Sequence, residues 1–514
     1  MAKWRPLVAI CLGTFMLLVD VTIVNVALPA MAVDLGTSFT ALQWVIDAYA
    51  LSLAALLMAV GAVGDVSGHR RVYVGGLTLF ALASAACGLA PDAGTLVAAR
   101  AVQGVGAAAM FATTFALLSS SYSGRDRGTA FGVWGAVSGA AAALGPILGG
   151  LLTQGLSWRW IFFVNLPVSV IAVALSLAVL PATPARAGRR VDLPGAATFT
   201  VAAAAATFAM IRAGEVGWGA ASVLVLLAVA VVALGTFVAV ERRREQPLFD
   251  LALLRRRAFV GVLLAALLLN FAAFAVLAYT SIWLQSLLDL SPIQAGLTAL
   301  PLSVAAFVVS AVIGRFLHTT APGPVIGGGL VLIGVGSLVS AALVGPGSSW
   351  PALLVGFVLV GLGVGLATPT LSSTATAAVP PARAGMAGGA VNTARQLGLA
   401  FGIALLGSLV AGRAATSLSA AGVPGSDRVA SALAGGQGRA VVAAAPAPDR
   451  GALLGAVHGA FADGLDVAFL VAGTGGVVVG LAVLLLMRPD RRRAHAGVPA
   501  GRPEADPAGS AAGI

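Results

Sequence analysis

Residues 61 to 71 read GAVGDVSGHRR: glycines at 61, 64 and 68, one acid, Asp65, and the basic pair Arg70 and Arg71. The stretch sits between apolar runs near 41–63 and 72–90, each close to the 20 or so residues needed to cross about 30 Å of hydrocarbon. Two membrane helices that reverse direction need a tight turn where positive charge collects, and glycine supplies it. Gly61, Asp65, Gly68, Arg70 and Arg71 are therefore expected to turn the chain and latch it to a neighbouring helix.

Outward from this point the pattern repeats. Further runs lie near 7–31, 95–118, 129–152, 161–181, 193–212, 220–240, 258–285, 293–316, 324–344, 351–376, 386–412 and 465–487, which makes about fourteen spans by the same length criterion. Charged residues are 10% and hydrophobic residues 59% of 514, too little polar surface to coat a soluble fold. Unalternating runs of this length exclude barrel strands, so backbone groups in lipid must be satisfied within helices. The reading is an all-α polytopic membrane protein.

The formal charge of +11 suggests nucleic acid only if a soluble basic domain exists, and none is visible. The arginines report orientation instead. With the amino terminus inside, one set of loops holds Lys3, Arg5, Arg70, Arg71, Arg125, Arg127, Arg186, Arg189, Arg190, Arg242 to Arg244, Arg255 to Arg257, Arg315, Arg383 and the tail arginines, while the other set holds few. This is the positive-inside pattern, and an even span count puts both termini in the cytoplasm. Ala30-Met31-Ala32 imitates a signal-peptidase site, but the run before it is too long for a signal peptide and carries Asp20 in its middle. Cys11 and Cys87 both fall inside expected helices, which leaves no disulfide framework and no CxxC metal pair.

Along the chain, six spans over 1–181 and six over 258–487 flank a linker, 182–257, with two additional spans between arginine-rich connectors. The second half carries a degenerate echo of the opening turn, IGRFLHTTAPGP at 313–324, which keeps Gly314 and Arg315 but has no aspartate. Residues 413–463 form a long outer segment rich in Ala, Gly, Ser and Pro, read as a mobile loop whose part near 450–463 enters the last span as a short helix. The tail, 488–514, is read as disordered.

A charge within hydrocarbon costs at least about 2.5 to 3.5 kcal/mol at a helix centre, so embedded charges are candidates for function. Of nineteen acids, Asp20 in LVDVTIVNVALP and Asp47 in QWVIDAYAL fall inside spans. Such a carboxyl can exchange a proton, and a cationic ligand favours its ionised form. That competition is a physical basis for proton–cation exchange. The lesser alternative for each is a structural carboxyl bonded to backbone or arginine. Arg100 in RAVQGVGAAA and Arg395 in NTARQLG are embedded bases, able to anchor a carboxylate or, for Arg100 near a span end, to snorkel. Asn25, Trp44, Gln103, Trp134, Asn270, Phe274, Trp283 and Asn392 are candidates to line a central cavity. Gly145, Pro146, Gly149 and Gly150, in GPILGG, permit close helix approach and a kink.

Lys3 is the sole lysine, which rules out a GxxxxGK[ST] phosphate loop. The isolated histidines form no HExxH or other metal cluster. No cofactor, metal or catalytic constellation is expected, and the energy source is taken to be the proton gradient.

GAVGDVSGHRR, LVAARAVQGVGAA at 96–108 and GPILGG resemble the loop 2–3, span 4 and span 5 motifs of the major facilitator superfamily. LVDVTIVNVALP, QWVIDAYAL, WRWIFFVNLP at 158–167 and NTARQLG resemble its fourteen-helix drug:proton antiporter branch, and the likeness covers nearly the whole chain. The resemblance implies two six-helix bundles plus two extra helices. It implies a latch containing Asp65 and Arg70, proton handling by Arg100, and a cation-recognising acid at Asp47. Val66 and Ala141 depart from the family pattern. The function implied is proton-coupled efflux of amphipathic, cationic drugs by alternating access. A dedicated exporter of an endogenous antibiotic or metabolite, or a nutrient symporter, are the alternatives. The partners expected are a small-molecule substrate and membrane lipid, with no nucleic acid and a monomeric state.

Overall fold

The computed structural model of the protein describes residues 2–37, 39–182 and 191–487. Arg186, Arg189, Arg190 and the tail from 488 lie outside the described residues. Among these there is no strand. The helices are α1 (Arg5–Asp34), α2 (Phe39–Ser67), α3 (His69–Gly88), α4 (Ala93–Ser121), α5 (Gly124–Gly155), α6 (Trp160–Phe163), α7 (Asn165–Val179), α8 (Leu193–Val216), α9 (Ala221–Glu241), α10 (Arg257–Leu269), α11 (Val276–Ile282), α12 (Pro292–Thr298), α13 (Leu300–Gly314), α14 (Pro322–Leu343), α15 (Leu354–Ala377), α16 (Ala384–Ala420), α17 (Ser426–Ala434), α18 (Gly438–Ala444) and α19 (Arg450–Leu486). Twelve stretches are long and apolar enough to span a membrane, α6–α7 counting as one and α10–α11 as another. Two bent pairs, within α5 and α12–α13, bring the number to fourteen.

Local chemistry sets the ends. Asp92 opens α4 by accepting from the Thr95 amide (2.9 Å), and these bonds hold its carboxyl below the usual range. Ser291 and Gln294 make a capping box ahead of Pro292 at the start of α12. On the side away from the α2–α3 turn, Trp158 Nε1 donates to Asp34 (3.0 Å) and Arg159 pairs with the same carboxylate, which ties the entry of α6 to the end of α1.

Two bundles of six form the molecule. In the first, α3 packs on α4, α2 on α4 and α1 on α5, around Trp134, Phe115, Phe131, Tyr73 and Phe80. In the second, α14 packs on α15 and α19, and α16 on α10 and α19. The bundles meet where α5 lies on α13 and α2 on α16. The added pair α8–α9 flanks this second seam: α8 touches both α2 and α16. The outer face of α9, with Leu224, Val225, Val229, Val231, Val232 and Leu234 exposed, suits lipid.

Two elements of the fold differ from the sequence reading. The expected turn at 61–71 is narrower. GAVGDV belongs to α2, and Gly68 alone, at φ +98°, separates α2 from α3, because that backbone conformation is open to glycine and strained for other residues. The segment 413–463 is helical over much of its length: α16 runs to Ala420, α17 and α18 follow, and α19 begins at Arg450. Its alanines favour helix, and α17 buries Ala430 and Leu433.

Candidate functional site

Asp20 lies on α1 with no exposed surface. Arg100 of α4, 1% exposed, approaches it to 2.6 Å. Gln103, one turn further along α4 and on the same face, donates to the other oxygen of Asp20 (3.0 Å). Asn165, at the start of α7, donates to that oxygen as well (3.0 Å). Arg100 also donates to the Val45 carbonyl (3.0 Å) and to Gln103 (2.8 Å), and its guanidinium stacks 4.2 Å from the Tyr49 ring centroid. Asn165 is steadied by Ser84 (3.1 Å). Arg100 therefore does not snorkel: α1, α2, α4 and α7 close over it, and the paired carboxylate offsets its desolvation. Nothing in the sequence selects Asn165 beyond its place in WRWIFFVNLP.

Asp47 has a different environment. It is half-buried on α2, and its Oδ2 is sealed from solvent without a hydrogen bond to the protein. Trp44, one turn earlier, meets Phe208 of α8 edge-on at 5.5 Å. Burial is the main influence on Asp47, with a smaller one from the Glu215 charge near the end of α8; Glu215 itself pairs with Arg212. The added helix thus contributes Phe208 and Glu215 to the surroundings of Asp47 and Trp44, which helix counting gives no means to see.

The second bundle presents a polar contact of its own. Arg395 on α16 donates to Asn270 (3.3 Å). Asn270 opens a π-helical stretch, Asn270–Ala275, between α10 and α11, the kind of local unwinding that often marks functional positions. Phe274 lies half-buried in it, and Trp283, 2% exposed, opens a second π stretch after α11. Asn392 is fully buried and donates to the Phe111 carbonyl of α4 (3.2 Å), so it joins the two bundles. Asn25 is exposed on α1. Trp134 is no cavity wall: it is fully buried, bonded to Thr14 (3.1 Å) and T-stacked on Phe115 (4.9 Å), a core anchor of the first bundle.

At the arginine-rich face Asp65 crosses the seam. Its two oxygens accept from the amides of Gly385 (2.9 Å) and Met386 (2.8 Å) at the start of α16, where the helix dipole favours an anion. His69 Nε2 lies 3.3 Å from the same carboxylate. Gly61 lets this happen: a methyl there would meet the Gly385 carbonyl oxygen at 2.5 Å. Arg70 instead donates to the Leu177 carbonyl within its own bundle, and Arg71 is exposed. The cross-bundle contact therefore consists of Gly61, Asp65 and His69, and the basic pair takes no part in it.

The other seam is matched. A methyl on Gly132 of α5 would meet the Gly314 Cα of α13 at 2.7 Å, and one on Gly128 the Gly314 carbonyl at 2.5 Å. Arg127 donates across to Thr376 of α15 (2.6 Å). This face is closed on both seams. Toward the opposite face GPILGG packs as small-residue contacts do: Gly145 against Thr22 and Gly149 against Ile23 of α1, Gly150 against Ile293, and Pro146 beside Gly296.

A family model described as Major Facilitator Superfamily matches residues 10–403. The puromycin resistance protein pur8 of Streptomyces alboniger is 40% identical over 81% of this chain and 84% of its own length. The multidrug resistance protein Stp of Mycobacterium tuberculosis is 36% identical over 79% and 75%, and the tetracenomycin C resistance and export protein of Streptomyces glaucescens 33% over 95% and 93%. Among solved structures, the human organic anion transporter MFSD10 superposes with a TM-score of 0.63 at 17% identity, covering 95% of this chain and 99% of that one, a likeness of fold.

Proposed function

The chain belongs to the major facilitator superfamily, and we propose from that premise that it expels antibiotic-like small molecules, amphipathic cations among them, across the cell membrane in exchange for protons. The arginine-rich face is read as cytoplasmic, with both termini there. The proton gradient is the energy source, at about 2.3 kcal/mol per charge per 100 mV, and the working unit is a single chain.

The observation that carries the reading is the sealed Asp20–Arg100 pair. A carboxylate already held by Arg100, Gln103 and Asn165 offers a bulky cation no approach, but it can take a proton when α4 and α7 shift relative to α1. Protonation cancels the charge that holds Arg100, so loading a proton and loosening the bundle are one event. Asp47, half-buried with one oxygen that no protein group binds, is left for the cationic substrate once the seam beside α2 opens. Two acids thus divide the work: Asp20 couples and Asp47 recognises. Rocking of the bundles about their seams presents the space between them to each side in turn.

The test uses everted vesicles with a preformed proton gradient. Adding substrate should release protons in the parent, Asp20→Asn should abolish release for every substrate, and Asp47→Asn should abolish it for cations alone. Parental coupling in Asp20→Asn overturns the assignment. A second reading, export of one endogenous antibiotic, is favoured by relatives named for single compounds, puromycin and tetracenomycin C; a panel in which one compound alone releases protons selects it.

A further inference from the structure

At the arginine-rich ends of the added helices stands a second acid pair that the coupling scheme above does not use. Asp192, the residue before α8, is 8% exposed, and Glu241, the last residue of α9, is 4% exposed. Each has one oxygen engaged: Asp192 Oδ1 accepts from the Gly195 amide (3.1 Å) and Glu241 Oε2 from the Phe249 amide (3.1 Å). Each has the other oxygen buried and without a hydrogen bond. Both bare oxygens border Gly195: a methyl there would strike Glu241 Oε1 and, at 2.7 Å, Asp192 Oδ2, so the absent side chain leaves the two carboxyls as neighbours across one small space.

Two buried carboxylates with facing, unbonded oxygens are unstable if both are ionised; one hydrogen between them satisfies both. The charge count agrees. Arg244 Nε lies 3.5 Å from Asp192 Oδ1, and Asp192 and Arg244 are the charged groups that act on Glu241. Among the described residues, one proton and one guanidinium therefore neutralise the pair.

The position gives the pair a role. Glu241 grips the Phe249 amide, and Leu248 and Phe249 pack in one apolar cluster with Met58 of α2, Phe259 of α10 and Met386 of α16. Ala62, Asp65, Asp192, Leu248, Arg383 and Met386 line one small cleft; Arg383 pairs with Asp250 (2.6 Å), and His69 lies beside Asp65. We propose that Asp192 and Glu241 form a proton-binding site, in which one hydrogen shared between Asp192 Oδ2 and Glu241 Oε1 fastens the α8–α9 pair and its connector onto the Asp65 latch. Release of that proton to the cytoplasm leaves two facing carboxylates with one arginine, which part and free the connector. The site senses the compartment on its own side of the membrane, whatever the transported solute.

The experiment reads the proton directly. Full-length protein in lipid nanodiscs is followed by infrared difference spectroscopy of the protonated-carboxyl C=O stretch during pH titration, for the parent, Asp192→Asn, Glu241→Gln and Arg244→Gln. A band at pH 7 that disappears in both amide variants, and that the parent loses on alkalinisation, is expected. Arg244→Gln, a half-exposed position outside the pair, should move that loss to higher pH. In parallel, Val66→Cys beside the cleft is labelled with maleimide, the native Cys11 and Cys87 being buried. Labelling should rise severalfold with pH in the parent and stay flat in Glu241→Gln. An unchanged band in both amide variants overturns the proposal. So does a parent whose band is absent at pH 7 while labelling responds to sodium or potassium, which would make this a metal-cation site. Neither readout depends on transport, so their failure is distinct from failure of the efflux reading.

Discussion

The Asp20 carboxylate and the Arg100 guanidinium, 80 positions apart in sequence, lie 2.6 Å from each other with solvent excluded. Removing one partner strands the other, which costs about 3 to 5 kcal/mol. Asp20→Asn and Arg100→Gln should each lower thermal stability markedly, and the double variant by less than their sum. Melting curves in detergent provide the double-mutant cycle. Additive losses would show that the two groups act independently.

Asp65 binds two amides of α16. Asp65→Asn keeps the shape but loses a charge-assisted bond worth about 1.5 to 3 kcal/mol, and with it roughly tenfold or more of the bias toward the closed arginine-rich face. Accessibility of a cysteine at Val66 should rise accordingly. Arg71→Gln, at an exposed position, should leave accessibility unchanged.

Gly132 touches Gly314 through backbone atoms. Gly132→Ala overpacks that seam at a cost of about 1 to 3 kcal/mol, so the same face should open more often. The readout is labelling of Leu317→Cys, whose side chain borders Gly128. Unchanged labelling would mean that α5 and α13 part by some other route.

Asp34 receives Arg159 and Trp158, and chiefly the Arg159 bond holds its carboxyl below the usual range. A folded-state pKa below the unfolded one gives stability that is present above the unfolded value and lost as pH falls through the folded one. The melting temperature of the parent should therefore exceed that of Asp34→Asn at neutral pH, and the gap should close below about pH 4, the carboxylate reference. A gap that persists in acid would assign the effect to packing.

Span number and helical class were legible because a hydrocarbon crossing demands length and apolarity, which composition carries directly. The embedded charges Asp20, Asp47, Arg100 and Arg395 stood out for the same reason. Which charge meets which was not legible. The Asp20–Arg100 contact depends on how α1 and α4 are rotated, and Asn165 joins Asp20, as Glu215 joins the surroundings of Asp47, through packing between distant helices. The basic pair after Gly68 was conspicuous in sequence, yet the seam is held by Asp65 against backbone amides, which a string of letters does not display. Trp134 resembles a cavity aromatic until its neighbours are known, and the alanine-rich stretch after α16 resembles a loop until its helices find partners.

Where Gly132 sits on Gly314 and Gly61 on Gly385, main chain rests on main chain. Such a seat has no compressible layer and no thickness for a hydrated ion, so in the proposed cycle it would act as a hard stop instead of a spring. With main chain on main chain at both seats, no side chain fills the gap, and any parting of the seams there must separate backbone from backbone.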